Sequence, residues 1–155
     1  MDELNEFIVN DLWKVVSSKE NRESKLQKLV EVISSFLKVE KCSLMLKEDG
    51  IFKIVASVGL PKKIIKDTQI EEGEGISGMV IKERKAIFMR KISESIETDG
   101  RYKTDGFIST PLFSTSKDVI GILNLTDKKE NMSLSEKDLI ALKPIMERIR
   151  FVVED

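Results

Sequence analysis

The strongest hydrophobic pattern in the chain is a run over residues 119–126 in which almost every position is apolar. One set of alternate positions holds Val119, Leu123 and Leu125, and the other set holds Ile120 and Ile122. A strand that is apolar on both faces is covered on both sides, so this run is predicted to lie in the middle of a sheet. Gly121 lies within the run, and its missing side chain predicts that another group approaches the backbone closely there.

Apolar residues at helical spacing predict three long helices, over residues 2–18, 23–37 and from 135 onward. The first helix carries Val9 and Trp13 beside its main apolar stripe, which predicts contact with a partner subunit as well as with its own domain. The alternative is a wide stripe buried within one monomer. The last helix opens on Ser135 and Asp138, which have the spacing of a capping box. Its apolar period has no stop signal, so we expect it to continue into further protein.

Shorter patterns predict the remaining elements. Strands are expected at 41–47, 52–58, 86–89 and 107–113, and short helices at 62–67 and 76–84. Segment 93–105 is polar and contains Gly100, and Ile96 is its single strong apolar residue. Long loops in compact domains usually serve a function, so we expect this segment to close over a binding site.

Composition favours one ordinary globular domain over residues 1–155, because 41% of the residues are hydrophobic. Charged residues make up 34% of the chain, yet they nearly cancel to a formal net charge of -1. This balance gives no electrostatic reason to expect contact with nucleic acid or a membrane. No apolar run has transmembrane length and no secretory signal is visible, so a cytoplasmic location is expected.

The chain contains no histidine and a single cysteine, Cys42. A Ser-His-Asp triad, a Cys-His nucleophile pair and imidazole metal ligands are therefore excluded. Cys42 has no partner for a disulfide or for redox cycling, and it is predicted to be a buried structural thiol. No paired motif supports an enzyme that would use carboxylates and Tyr102. We therefore expect no catalytic residue, no metal site and no enzymatic activity.

The glycines Gly73, Gly75 and Gly78 match the dinucleotide-binding fingerprint in spacing alone. No buried strand precedes them, the following helix is too short for a crossover unit, and Glu72 and Glu74 would repel a pyrophosphate. We therefore interpret these glycines as parts of a tight turn with close helix packing.

Five segments, in their order along the chain, together resemble a GAF domain. They are Lys41-Cys-Ser-Leu-Met-Leu, Ile54-Val-Ala-Ser-Val-Gly-Leu, Gly73-Glu-Gly-Ile-Ser-Gly-Met-Val, Ile108-Ser-Thr-Pro-Leu and Val119-Ile-Gly-Ile-Leu-Asn-Leu. The resemblance implies an α+β fold with an antiparallel five- or six-stranded sheet. It places the N- and C-terminal helices on one face, and short helices and loops that form a pocket on the other. No resident cofactor is implied.

Specialised branches of the family match less well. Free methionine sulfoxide reductases of this fold need several cysteines, and bilin-binding members need a cysteine with a nearby histidine. The cyclic-nucleotide branch has an Asn-Lys…Phe-x3-Asp-Glu signature, of which this chain keeps only Lys128 and Asp138. We interpret these two residues as an ion pair between a strand end and a helix start.

The run over residues 75–88 is similar to the input domains of sigma-54-dependent activators of the nitrogen-fixation regulator type. The resemblance therefore implies a non-catalytic, small-molecule-responsive domain at the N-terminus of such an activator. Two alternatives stay open. One is a ligand-free dimerisation or protein-docking module of a signalling protein such as a histidine kinase, and the other is a cyclic-nucleotide-binding domain.

The site predictions follow from this arrangement. The predicted ligand-binding residues are Ser43, Met45, Ile76, Met79, Phe88, Arg90, Arg101, Tyr102, Ile122 and Asn124. The predicted dimer interface consists of Val9, Trp13, Val16, Ile149 and Val152. The expected partners are a second copy of the chain, a small-molecule effector, and either a regulatory partner or C-terminal ATPase and DNA-binding domains in the full-length protein. This domain itself is expected to contact neither nucleic acid nor a membrane.

Overall fold

A six-stranded antiparallel sheet forms the centre of the protein, with strand order β3-β2-β1-β6-β5-β4. The structure is a computed structural model and describes residues 2–89, 106–130 and 132–154. The strands are β1 (Val39–Glu48), β2 (Ile51–Val58), β3 (Gln69–Ile70), β4 (Ile87–Met89), β5 (Phe107–Phe113) and β6 (Val119–Lys128). The predicted α+β class and antiparallel sheet are confirmed.

Helices pack on both faces of this sheet. The first helical segment consists of α1 (Glu3–Glu6), a π-helical stretch (Phe7–Leu12) and α2 (Trp13–Val16), and it is followed by α3 (Arg22–Leu37). Next come α4 (Lys62–Asp67), α5 (Gly75–Glu83) and the last helix, α6 (Glu136–Glu154). No helix within the described residues is long and apolar enough to cross a membrane.

Successive side chains of β1 and β6 point to opposite faces of the sheet, and they contribute to two separate hydrophobic cores. Leu44 and Leu123 belong to a large core shared with the first helical segment, α3 and α6. Their neighbours Met45 and Ile122 belong to a smaller core on the opposite face, which also contains Ile81 of α5. The terminal helices therefore lie on one face and α5 lies on the other, as predicted.

Strand β6 lies in the interior of the sheet, between β1 and β5, as its pattern predicted. The predicted faces of its first two residues are wrong, however. Val119 packs in the α5-side core, and Ile120 packs against the helix-side core. The pairing with β5 shifts register between Leu112 and Phe113, and this irregularity reverses the alternation at the start of β6.

Most element boundaries lie within two residues of their predicted positions, and α4 covers residues 62–67 as expected. Strand β3 was missed, because no strand was predicted between residues 58 and 86. Two residues carry no periodicity of their own, and this strand is defined by its pairing with Phe52 and Lys53 of β2. The predicted loop over 93–105 lies outside the described residues.

The predicted ion pair between β6 and α6 is present. Lys128 Nζ lies 3.0 Å from Asp138 Oδ1, and both side chains are largely buried. The second carboxylate oxygen, Asp138 Oδ2, accepts a hydrogen bond from the Ser135 N–H at 3.0 Å. Asp138 therefore caps the N-terminus of α6 and joins it to the central strand.

We expect Asp138→Ala to lower the free energy of unfolding by about 2 kcal/mol, because it leaves Lys128 unpaired in a buried position and removes the cap. Glu136→Ala is the matched control, since Glu136 is exposed in the same first turn of α6. Urea denaturation of the two variants measures the difference. Equal losses of stability in both variants would contradict this role for Asp138.

Candidate functional site

A tight glycine turn positions α5 over the sheet. Gly73 and Gly75 have positive φ angles of 90° and 59°. The Gly73 N–H donates to the Gly78 carbonyl at 2.8 Å, and a Cβ added at Gly78 would lie 2.8 Å from the Glu71 carbonyl oxygen. These contacts confirm the interpretation of the glycines as a turn with close packing.

A row of small polar side chains crosses the sheet beneath α5. Ser43 of β1 and Ser109 of β5 are the direct neighbours of Asn124 in the register of β6. Directly opposed residues of antiparallel strands project to the same face, so all three side chains share the face of Asn124. Ser77 of α5 donates to Asn124 Oδ1 at 3.2 Å, which identifies this face as the one that α5 covers.

The hydrogen bonding of this row is incomplete. Asn124 Nδ2 lies 3.8 Å from the Met45 sulfur, which is a weak acceptor. The Ser109 side chain is fully buried at 0% exposure, and its hydroxyl has no hydrogen-bond partner among the described residues. Buried hydroxyls almost always have a partner, so Ser109 is the most unusual polar group on this face.

Apolar side chains lie beside the polar row on the same face of the sheet. The α5-side core consists of Met45, Phe52, Ile81, Val119 and Ile122, with Ile54, Ile70 and Phe113 packed against it. Small-molecule sites in proteins commonly combine apolar walls with a few polar atoms. The face beneath α5 therefore has the chemistry of a binding site for a small, partly apolar molecule.

The structure brings several of the predicted ligand-binding residues together. Ser43, Met45, Ile122 and Asn124 share the α5 side of the sheet, and Ile76 and Met79 belong to α5 itself. Phe88 is not among this group, because it packs against the helix-side core. The remaining three predicted residues, Arg90, Arg101 and Tyr102, lie outside the described residues.

Two polar residues of this face were not in the predicted set. Ser77 lies in the first turn of α5, and Ser109 lies in a buried strand. Ser109 could have been found from the pairing of β5 with β6, since it lies opposite the predicted Asn124. That pairing depends on the register of the two strands, which the sequence pattern did not specify.

The predicted dimer residues divide into exposed and buried groups. Val9 and Trp13 are exposed, and Trp13 retains 59% of its accessible surface. Ile149 and Val152 are buried in the helix-side core, and Val16 is packed at its margin. The exposed apolar side chain at that end of α6 is Phe151, and it lines a cavity of about 420 Å³ together with Trp13.

Cys42 lies in the helix-side core, on the face opposite the polar row, and its side chain is buried. Burial raises the pKa of the Cys42 thiol far above its ordinary value, because the apolar surroundings disfavour the thiolate. The protonated thiol is not a nucleophile, so Cys42 acts as a packing residue, as predicted.

Comparison with known protein families identifies one match. The model of the GAF domain family matches residues 21–150. No curated protein sequence matches the chain.

Solved GAF structures superpose on nearly the whole chain. The GAF domain of an Acinetobacter phosphoenolpyruvate-protein phosphotransferase has a TM-score of 0.83 at 18% identity, over 99% of this chain and 95% of that one. The nlh2 GAF domain of A. aeolicus, solved in an inactive state, has a TM-score of 0.79 at 19% identity, over 97% and 96% of the two chains. At such low identity these similarities establish the fold alone.

A third structure corrects one sequence-based conclusion. The free methionine-R-sulfoxide reductase of Neisseria meningitidis, solved in complex with its substrate, has a TM-score of 0.79 at 15% identity, over 99% of this chain and 92% of that one. That protein is an enzyme with the same fold. The expectation that this chain has no enzymatic activity is therefore contradicted, because membership of this fold does not exclude catalysis.

Proposed function

The chain belongs to the GAF domain family, and we propose that it is a regulatory domain that binds a small molecule between α5 and strands β1, β6 and β5. The observation that carries this proposal is the Ser109 hydroxyl, which is fully buried and has no hydrogen-bond partner among the described residues. A ligand atom that bonds to this hydroxyl would supply the missing partner.

The surroundings of Ser109 indicate what kind of ligand fits. Asn124 and Ser77 offer hydrogen-bonding groups beside it, whereas Met45 and Ile122 offer apolar surface. We propose a small molecule with an apolar part and one or two neutral or anionic polar groups. Under this proposal the predicted ligand-binding residues Arg90, Arg101 and Tyr102 contact the polar groups.

Thermal-shift screening tests this proposal. The panel contains amino acids, methionine sulfoxide, 2-oxo acids and cyclic nucleotides. A true ligand at one hundred times its dissociation constant should stabilise the protein by about 2.7 kcal/mol. We expect Asn124→Leu to abolish the shift and Thr110→Val to preserve it, since Thr110 lies in the same strand pair but on the opposite face. A shift that survives Asn124→Leu would place the ligand elsewhere.

The effect of ligand binding would be transmitted to the terminal helices through the sheet. In β1 and β6 the residues that face α5 alternate with Leu44 and Leu123, which pack against the helices of the opposite face. A ligand changes a conformational equilibrium only if it binds the two states with different affinity. We therefore propose that the ligand favours one position of α5 over the sheet and that α3 and α6 respond to it.

We propose the input domain of a cytoplasmic sigma-54-dependent activator as the context of this regulation. The support is the resemblance of residues 75–88 to those domains. Sequencing the gene beyond codon 155 tests the assignment. An ATPase domain and a DNA-binding domain are expected, and a histidine kinase domain would contradict it.

A second proposed role is dimerisation, which the exposed apolar side chains of Val9, Trp13 and Phe151 favour, and two of these, Trp13 and Phe151, line one cavity. Large apolar patches on a protein surface commonly mark interaction sites. We expect Trp13→Glu to convert a dimer to a monomer in analytical ultracentrifugation. Val55→Glu is the control, because Val55 is an exposed apolar residue of β2 at 43% exposure. An unchanged mass for Trp13→Glu would contradict this interface.

A further inference from the structure

A groove opens at the edge of the sheet formed by β5, between the end of α5, the β5–β6 turn and α6. We call it the α6 groove, and its volume is about 690 Å³. Its lining comes from residues 84–86 after α5, from residues 110–115 and Lys117 of β5 and the following turn, and from α6. This volume falls within the range typical of small-molecule sites. The groove is separate from the polar row, because Ser43, Ser77, Ser109 and Asn124 are not among its lining residues.

Positive charge is concentrated around this groove. Its lining contains five cationic side chains and one carboxylate, Glu147, although the whole chain has a formal net charge of -1. Within the described part of the chain, Lys85, Lys117 and Lys143 form no ion pair. These three lysines are therefore available to an anionic partner.

The two guanidinium groups are held in place by their neighbours. Arg84 lies over the Phe113 ring, 5.4 Å from its centroid, and donates to the Lys117 carbonyl. Arg150 donates to Thr115 Oγ1 at 3.1 Å, and its guanidinium lies 3.7 Å from Glu154 Oε1. Positions fixed in advance reduce the entropy that is lost when a ligand binds.

Apolar side chains form the floor of the groove. Leu112 and Met146 are buried there, and Phe113 and Leu139 are partly buried. Ile140 remains 71% exposed at the margin. An occupant of the groove therefore meets apolar surface below and cationic groups around the rim.

The edge of β5 disfavours an extended peptide as the occupant. Strand β4 pairs only with Phe107, Ile108 and Ser109, so the later part of β5 has no neighbour on that side among the described residues. Pro111 has no N–H to donate, and the register shift after Leu112 distorts the edge. Strand addition needs a regular edge with free donors and acceptors.

We propose that the α6 groove binds a small amphipathic organic anion, with an apolar or aromatic body and a sulfonate, phosphate or carboxylate group. The body packs on Leu112, Leu139 and Met146, and the anionic group lies among Lys85, Lys117 and Lys143. An occupied groove contacts both α6 and the β5–β6 turn. Thr115 and Glu154 already join these two elements, because the Thr115 N–H donates to Glu154 Oε1 at 2.8 Å.

Two matched fluorescent probes test the proposal. They are 1-anilinonaphthalene-8-sulfonate and its uncharged analogue N-phenyl-1-naphthylamine. We expect the sulfonate to bind saturably, and the neutral analogue to bind about tenfold more weakly or worse, because it lacks the group that the lysines attract. Absence of saturable sulfonate binding, or equal affinity for the two probes, would overturn the proposal.

Charge-reversal variants locate the binding. The double variant Lys117→Glu and Lys143→Glu should weaken sulfonate binding about tenfold or more, since it reverses two rim charges. Its control is Lys62→Glu with Lys66→Glu, which makes the same change in net charge on exposed positions of α4. Asn124→Leu should leave the affinity unchanged, which separates this groove from the site beneath α5. An equal loss of affinity in the α4 control, or a loss in Asn124→Leu, would refute the assignment. In a competition experiment, pyrophosphate should displace the sulfonate probe better than a poly-glutamate peptide does. Stronger displacement by the peptide would also refute the assignment.

Discussion

Gly121→Ala is expected to lower the free energy of unfolding by about 3 kcal/mol, a large part of the stability of an ordinary domain. A Cβ at this position would lie 2.7 Å from the Met45 carbonyl oxygen and 2.9 Å from Leu46 Cδ2. The first of these atoms belongs to the backbone of β1, so relief requires β1 and β6 to move apart. Because these strands separate the two cores, the strain would reach both.

Gly106→Ala is the control for this substitution. A Cβ there would make only ordinary contacts, with the nearest atom, Leu134 Cβ, at 3.6 Å. We expect its unfolding free energy to stay within about 0.5 kcal/mol of the parent value. Chemical denaturation of both variants measures the difference. A Gly121→Ala protein as stable as the Gly106→Ala protein would show that β1 and β6 do not pack as described.

Ser109→Ala is expected to make the ligand-free protein more stable while it impairs ligand binding. The substitution removes a fully buried hydroxyl that has no hydrogen-bond partner among the described residues. Removing such a group should raise the free energy of unfolding by about 1 kcal/mol. The same hydroxyl is the proposed ligand contact, so the thermal shift with a true ligand should be lost. Stability and function are thus expected to change in opposite directions, as is common at binding sites.

Ser34→Ala is the matched control, because it makes the same chemical change at another buried serine. Ser34 lies in α3, and its hydroxyl donates to the Val39 carbonyl at 2.8 Å. Loss of this hydrogen bond should lower the free energy of unfolding by about 1 kcal/mol and leave ligand binding intact. If Ser109→Ala destabilised the protein as much as Ser34→Ala, the Ser109 hydroxyl would have a protein partner and the proposed site would lose its main support.

Much of the fold could be predicted because its signals are local. The run over residues 119–126 is apolar on both faces, and this pattern alone indicated an interior strand. Gly121 indicated a close approach, which the Met45 carbonyl makes. The faces of Val119 and Ile120 could not be predicted, because they depend on an irregularity in the pairing with β5. Alternation assumes a regular strand, and a register shift breaks that assumption.

The candidate site was predicted less completely, because it depends on pairing between distant segments. Asn124 was identified from its own strand, but Ser109 became notable only once the register of β5 and β6 was known. Phe88 belongs to a three-residue strand, too short for alternation to indicate which face it occupies. The α6 groove had no sequence signal, since its lysines come from segments that meet only in the fold.

The most direct test of the central claim is a crystal structure of the chain with the compound that gives the largest thermal shift. The account predicts that this compound lies beneath α5 with one of its atoms within about 3.2 Å of Ser109 Oγ. It also predicts that the compound contacts Asn124 or Ser77. A compound bound elsewhere, with the Ser109 hydroxyl bonded to a protein group, would contradict the proposed site.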